Sequence, residues 1–173
     1  MVHKLNHLNS QPPTEAQAEF LKCCGSQRWA SRMTEARPFA SLDELKQTAE
    51  RIWWSLLAED WLEAFRSHPQ IGGTKHSAGN ERKESLSQEW SEQEQSGVSS
   101  ASSETIKSLA ELNRQYEEKF GFIFIVCATG KSSDELLLNL RKRLGNPGEK
   151  ELHIAAAEQA RITTLRLEKL LNQ

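Results

Sequence analysis

The residues predict a mostly α protein of seven or eight helices, with at most one strand-like segment near residues 122–128. Two observations carry this. Apolar residues recur at three- and four-residue spacing along most of the 173-residue chain. Capping signatures, Ser-x-x-Glu above all, stand ahead of two of those runs. A third observation sets the exception: FIFIVCA, residues 122–128, is apolar, β-branched and aromatic and sits between two glycines.

Residues 1–14, ending in Pro12 and Pro13, read as a flexible N-terminal arm, with the folded domain over 15–173. A helix from about Thr14 carries Ala18, Phe20 and Leu21, and CCGS stops it at Gly25. SQRWASRMTEA follows, closed by Pro38. Ser41 and Glu44 have capping-box spacing, and behind them Leu42, Leu45, Ala49, Ile52, Trp53 and Leu56 form one apolar face. A further helix starts from a cap at Asp60, carries Trp61, Leu62 and Phe65, and ends at His68-Pro69.

Residues 72–90, GGTKHSAGNERKESLSQEW, show no apolar period and read as a mobile surface loop. Helical text resumes near Ser91. SETIKSLAELNRQYEEKF then places Ile106, Leu109, Ala110, Asn113 and Tyr116 on one face before Gly121. FIFIVCA alone reads as a buried strand, and its length does not separate that from a buried helix. Ser132 and Glu135 form another capping box, opening a helix that ends at Gly145, and a long helix spans about Glu149 to Leu171.

Composition removes several function classes. Formal charge is −2 and the 22 basic residues are scattered, so no nucleic-acid footprint is present. Mean hydropathy is −0.65, and no run approaches the ~20 apolar residues of a membrane span. The start has no apolar signal-peptide core and LLNQ is no peroxisomal address. Cys23, Cys24 and Cys127 lack framework spacing, which points to reduced thiols and a cytoplasmic setting; a peroxisomal one would need a route the sequence does not show. His3, His7, His68, His76 and His153 lack ligand spacing, so no metal is expected.

Four features could carry chemistry. His68 stands where Pro69 stops a helix; it is either a cap at the negative helix end or an imidazole fixed for proton transfer. Ser91, Glu94 and Gln95 read as a solvated helix start, or as a hydroxyl, a carboxylate and an amide gathered with free backbone N–H groups. Arg166 lies on the apolar stripe of the last helix, with Ile162 and Leu170 four residues to either side. It either snorkels or directs a guanidinium into a pocket. If FIFIVCA is irregular, its backbone groups need partners, which a polar heterocycle could supply. Cys127 reads as a small buried hydrophobe and Asn113 as a buried amide with backbone partners.

SHPQIGG, SEQEQ, LNRQYEEKFGFIFIVCATG, the R-x-R-L-x-N stretch at 141–146 and EQARITTLRLEKL occur together, in this order, over roughly residues 18–171. The combination resembles the 2-oxo-4-hydroxy-4-carboxy-5-ureidoimidazoline (OHCU) decarboxylases, which form (S)-allantoin in urate degradation. KCCGSQRWA and DWLEAFRSHPQIG resemble the plant version, which is fused to a transthyretin-like hydrolase. The chain stops where the hydrolase would begin, so it resembles a stand-alone decarboxylase.

The resemblance implies an all-α homodimer, a single compact domain of seven to nine helices, acting on a small-molecule substrate without metal or organic cofactor. It implies His68 and Glu94 as catalytic residues. Substrate contacts fall on Pro69, Ser91, Gln95, the segment Phe124, Ile125, Val126, Cys127 and Ala128, and Arg166. It also implies that FIFIVCA is buried but not in a sheet. The loop between His68 and Glu94 is longer than in commoner members, with TKHSAGNERKES as the excess. The competing expectation is an inactive helical binding module.

Overall fold

The computed structural model describes residues 2–71, 86–94 and 101–172. Among them are nine helices and no strand: α1 (Val2–Ser10), α2 (Pro13–Cys23), α3 (Gln27–Glu35), α4 (Leu42–Trp54), α5 (Ala58–Arg66), α6 (Leu86–Glu94), α7 (Ser103–Phe120), α8 (Ser133–Leu144) and α9 (Gly148–Asn172). The all-α expectation holds. The strand alternative for FIFIVCA does not: residues 123–128 have neither helical nor ladder structure.

The chain divides into two compact units, Met1–Ser67 with Gln159–Gln173, and His68–Glu158. In the first, α2, α3, α4 and α5 pack around buried Phe20, Trp29, Met33, Leu45, Ile52 and Phe65. Phe20 meets Trp29 edge to face at 6.0 Å, and the Trp29 indole N–H donates to the Ala49 carbonyl at 3.1 Å. The buried ring thus keeps a partner for its one polar atom. Ser41 caps α4, accepting from the Glu44 N–H at 3.1 Å, while the Glu44 carboxylate reaches back to the Ala40 N–H at 2.6 Å. Gly25 permits a close approach, since a Cβ there would lie 2.3 Å from Ser67 Oγ.

Three boundaries depart from expectation. Residues 2–10 are helical, not a loose arm. Leu5 and Leu8 are buried, Arg37 donates to the carbonyls of Leu8 (2.7 Å) and Gln11 (2.9 Å), and Asn9 exchanges hydrogen bonds with the Phe39 backbone. Helix α5 begins at Ala58, so Asp60 is not its cap; it sits in the first turn, accepting from the Leu57 N–H at 3.2 Å. Residues 86–90 belong to α6 and are helix, not loop, and residues 72–85 lie outside the described residues.

In the second unit α7 packs on α8. Gly121 ends α7 at φ +76°, a left-handed C-cap that glycine adopts without strain. The expected box at α8 is present in both directions: Glu135 N–H to Ser132 Oγ at 3.3 Å, and Ser132 N–H to Glu135 at 2.7 Å.

Candidate active site

Helix α5 stops at Arg66 with Ser67 as C-cap, and His68 follows outside it. Pro69 is the local cause, because its ring disfavours helical geometry at the residue before it. Pro69 is exposed, whereas His68 is half-buried with ring Nε2 buried. The strap after it is tied to α7 twice. Gln70 donates to Glu117 at 2.7 Å, and Asn113 donates to the Ile71 carbonyl at 2.9 Å. Asn113 is therefore the buried amide with a backbone partner that the sequence suggested.

Helix α6 turns one face inward. Trp90, Ser91 and Glu94 are buried, the last two only 4% and 8% exposed, while Glu89 and Gln93 face out. This corrects the reading of a helix start at Ser91: residues 86–90 ahead of it are already helical, so the free N–H groups of a helix N-terminus are not there. The buried Trp90 indole nitrogen has no hydrogen-bond partner among the described residues. Gln95 lies outside the described residues.

Phe124, Ile125, Val126, Cys127 and Ala128 are all buried in irregular backbone. With no ladder available, side chains satisfy the peptide groups. Arg143 donates to the Ile125 carbonyl at 2.7 Å, and its guanidinium lies 4.6 Å from the Phe124 ring centroid. Arg143 is in turn held by Glu151 at 2.6 Å, which also accepts from the Tyr116 hydroxyl at 2.5 Å and the Asn146 amide at 2.7 Å. Arg143 and Asn146 thus explain the R-x-R-L-x-N pattern as a support for the segment. The Cys127 N–H donates to the Glu158 carboxylate at 2.8 Å, and Lys131 Nζ donates to the Cys127 carbonyl.

Burial raises the Cys127 thiol above its ordinary range. The Lys131 charge opposes this, and the carboxylates of Glu158 and Glu94 add to it. Glu94 therefore lies within electrostatic reach of Cys127, and unit 68–158 contains both Glu94 and the irregular segment. The same unit holds His68, Pro69 and Ser91. A thiol so placed stays protonated at neutral pH and is no nucleophile.

Arg166 belongs to the other unit. It is 2% exposed, which removes the snorkelling alternative. Its charge reaches Cys23 and Cys24, both fully buried; burial pushes Cys24 up to about 12 while Arg166 pulls downward. Among the described residues no group of three His, Cys, Asp or Glu side chains could hold a metal ion, and no helix is long and apolar enough to cross a membrane. Lys131, Arg143, Glu151 and Glu158 were missed as site-supporting residues. Only the arginine- and asparagine-bearing pattern at 141–146 signalled any of them.

The family profile described as OHCU decarboxylase matches residues 9–168. The chain is 40% identical over 157 residues to the uric acid degradation bifunctional protein TTL of Arabidopsis thaliana, covering 89% of this chain and 47% of that one. It thus spans about half the length of that relative. It is 32% identical over 142 residues to the 2-oxo-4-hydroxy-4-carboxy-5-ureidoimidazoline decarboxylase of Amia calva, covering 82% of this chain and 79% of that one. A crystal structure of OHCU decarboxylase in the presence of (S)-allantoin superposes with a TM-score of 0.76 at 39% identity, covering 90% of this chain and 98% of that one. An (S)-allantoin synthase structure, at 17% identity and TM-score 0.71 over 96% of this chain and 53% of that one, shares the fold. With a profile match across nearly its whole length and the motif residues in the fold described above, the chain belongs to the OHCU decarboxylase family.

Proposed function

We propose that this chain is a cofactor-independent carboxy-lyase that converts OHCU to (S)-allantoin in urate degradation. The observation that carries the reading is that one unit holds the buried Glu94 carboxylate and the irregular backbone at 124–128, with Glu94 in electrostatic reach of Cys127. The residue-by-residue resemblance assigns catalytic and substrate-reading roles to these same positions. A buried carboxylate can accept from the N–H groups of a small polar heterocycle, and peptide groups without a ladder can read its polar edges.

The chemistry follows from the substrate. The bond from the ring carbon to its carboxylate breaks, CO2 leaves, and the electron pair is taken up by the conjugated ring. The neighbouring hydroxyl loses its proton as a carbonyl forms, and a proton is added to one face of the ring to set the chirality. His68, held by the strap, moves these protons. Glu94 orients the ring N–H and ureido groups. Ser91, Gln95, Pro69 and the backbone of Phe124, Ile125, Val126, Cys127 and Ala128 read the polar edges, and Arg166 holds an anionic oxygen. The protein works as a cytoplasmic homodimer, to be checked by light scattering and fractionation.

The test supplies OHCU freshly made from urate by uricase and a ureidoimidazoline-forming hydrolase, with and without this protein. Fast build-up of optically active (S)-allantoin is expected. Racemic product at the spontaneous rate would sink the proposal in favour of an inactive binding module.

A further inference from the structure

The backbone of Cys127 is held at both ends by side chains of opposite charge. Glu158, on α9, accepts from its N–H at 2.8 Å, and Lys131 donates to its carbonyl. The sequence ATGK builds the second contact. The Lys131 N–H bonds the Ala128 carbonyl at 3.0 Å, closing a turn in which Gly130 takes φ +77°. Positive φ at the third turn position is a type II signature that favours glycine, and it folds Lys131 back over the peptide it follows. Neither residue is fully buried, so neither is simply core. Fixing one residue's N–H and C=O together fixes the peptide planes on both sides, and so the aim of the neighbouring groups in a segment with no ladder to align it.

We propose that Glu158 and Lys131 are positioning residues, a two-sided clamp that sets the direction in which the 124–128 backbone presents its peptide groups to the substrate. This deepens the decarboxylase reading and rests on it for the kinetic consequence. The clamp acts through hydrogen-bonded geometry: the acceptor oxygen on the Cys127 N–H matters, and the carboxylate charge is secondary. Because the backbone reads ground state and transition state alike, its misalignment weakens binding more than turnover.

The test compares Glu158→Ala, Glu158→Gln, Lys131→Met and Lys131→Arg in the full chain with freshly generated OHCU. Loss of one charge-assisted hydrogen bond predicts a KM raised about tenfold in Glu158→Ala and Lys131→Met with kcat changed by less than about threefold. Glu158→Gln and Lys131→Arg restore KM to within about threefold of the parent. Amide hydrogen exchange at Cys127 supplies a readout independent of activity: faster by about tenfold in Glu158→Ala, and near the parent rate in Glu158→Gln. Melting temperatures close to the parent exclude general loss of structure. Parent KM in Lys131→Met, or unchanged Cys127 exchange in Glu158→Ala, overturns the clamp. Should Glu158→Ala not fold, the Lys131 pair decides on KM. Should the parent chain make no chiral allantoin, the decarboxylase reading falls while the exchange measurement still decides the clamp.

Discussion

Arg143 and Glu151 form a buried ion pair at 2.6 Å, with 6% and 0% of their side chains exposed. The pair sits between the irregular segment and α7, because Arg143 also bonds the Ile125 carbonyl and Glu151 also accepts from Tyr116. Removing one partner leaves a buried charge uncompensated, which costs about 3–5 kcal/mol. Arg143→Met should lower the urea unfolding free energy by that amount. Arg143→Met with Glu151→Leu should cost less than the two single changes summed, because the pair is coupled. Additive losses would show that the two residues act separately.

Asn113 ties the strap that follows His68 to α7 through the Ile71 carbonyl. Asn113→Ala releases that carbonyl and slackens the strap, so kcat with OHCU should fall about tenfold, in line with the loss of a positioned catalytic group's geometry. A parent kcat in a folded Asn113→Ala protein would show that the strap does not position His68.

Gly25 stands where a Cβ would lie 2.3 Å from Ser67 Oγ and 2.4 Å from Ser67 Cβ. Gly25→Ala therefore forces Ser67 aside at a cost of about 1–3 kcal/mol. Ser67→Gly in the same chain should recover most of it, as measured by urea unfolding. No recovery would place the clash elsewhere.

Burial raises Cys24 from 9.0 to about 12 and shifts Cys23 and Tyr116 the same way. The unfolded chain gives up these protons at ordinary values, roughly 8.5 for cysteine. Above that pH the unfolded state binds fewer protons than the folded one, so stability falls as pH rises. The contribution is complete below about pH 8.5 and is lost progressively up to about 12. Urea midpoints measured across this window should drop, with a shallower slope in Cys24→Ala. An unchanged slope would contradict the buried-thiol account.

What the sequence disclosed and what it hid follow one physical line. Caps at Ser41 and Ser132 and the glycine stop at Gly121 are encoded within four residues, and all are where local patterning puts them. Helix α1 was hidden because VHKLNHLNS buries only Leu5 and Leu8, and its other anchors, Arg37 and Phe39, lie 26 to 30 residues away. Helix α6 was hidden because its text is charge-rich, although Trp90 is fully buried. Ser91 and Glu94 were legible as a pair but not the helical turn that precedes them. The Cys127 clamp depends on Glu158, 31 residues away, and no local period announces such a pairing. The stop at Pro69 was legible, whereas the tethers that hold His68 beyond it come from α7.

The central claim is that His68 moves the protons of a decarboxylation. The most direct measurement follows the circular dichroism of allantoin formed from fresh OHCU by the parent chain and by His68→Ala at equal concentration. The account predicts rapid (S)-allantoin with the parent and a rate lower by about 10²–10⁴ with a folded His68→Ala protein. Equal rates of optically active product from the two would contradict it.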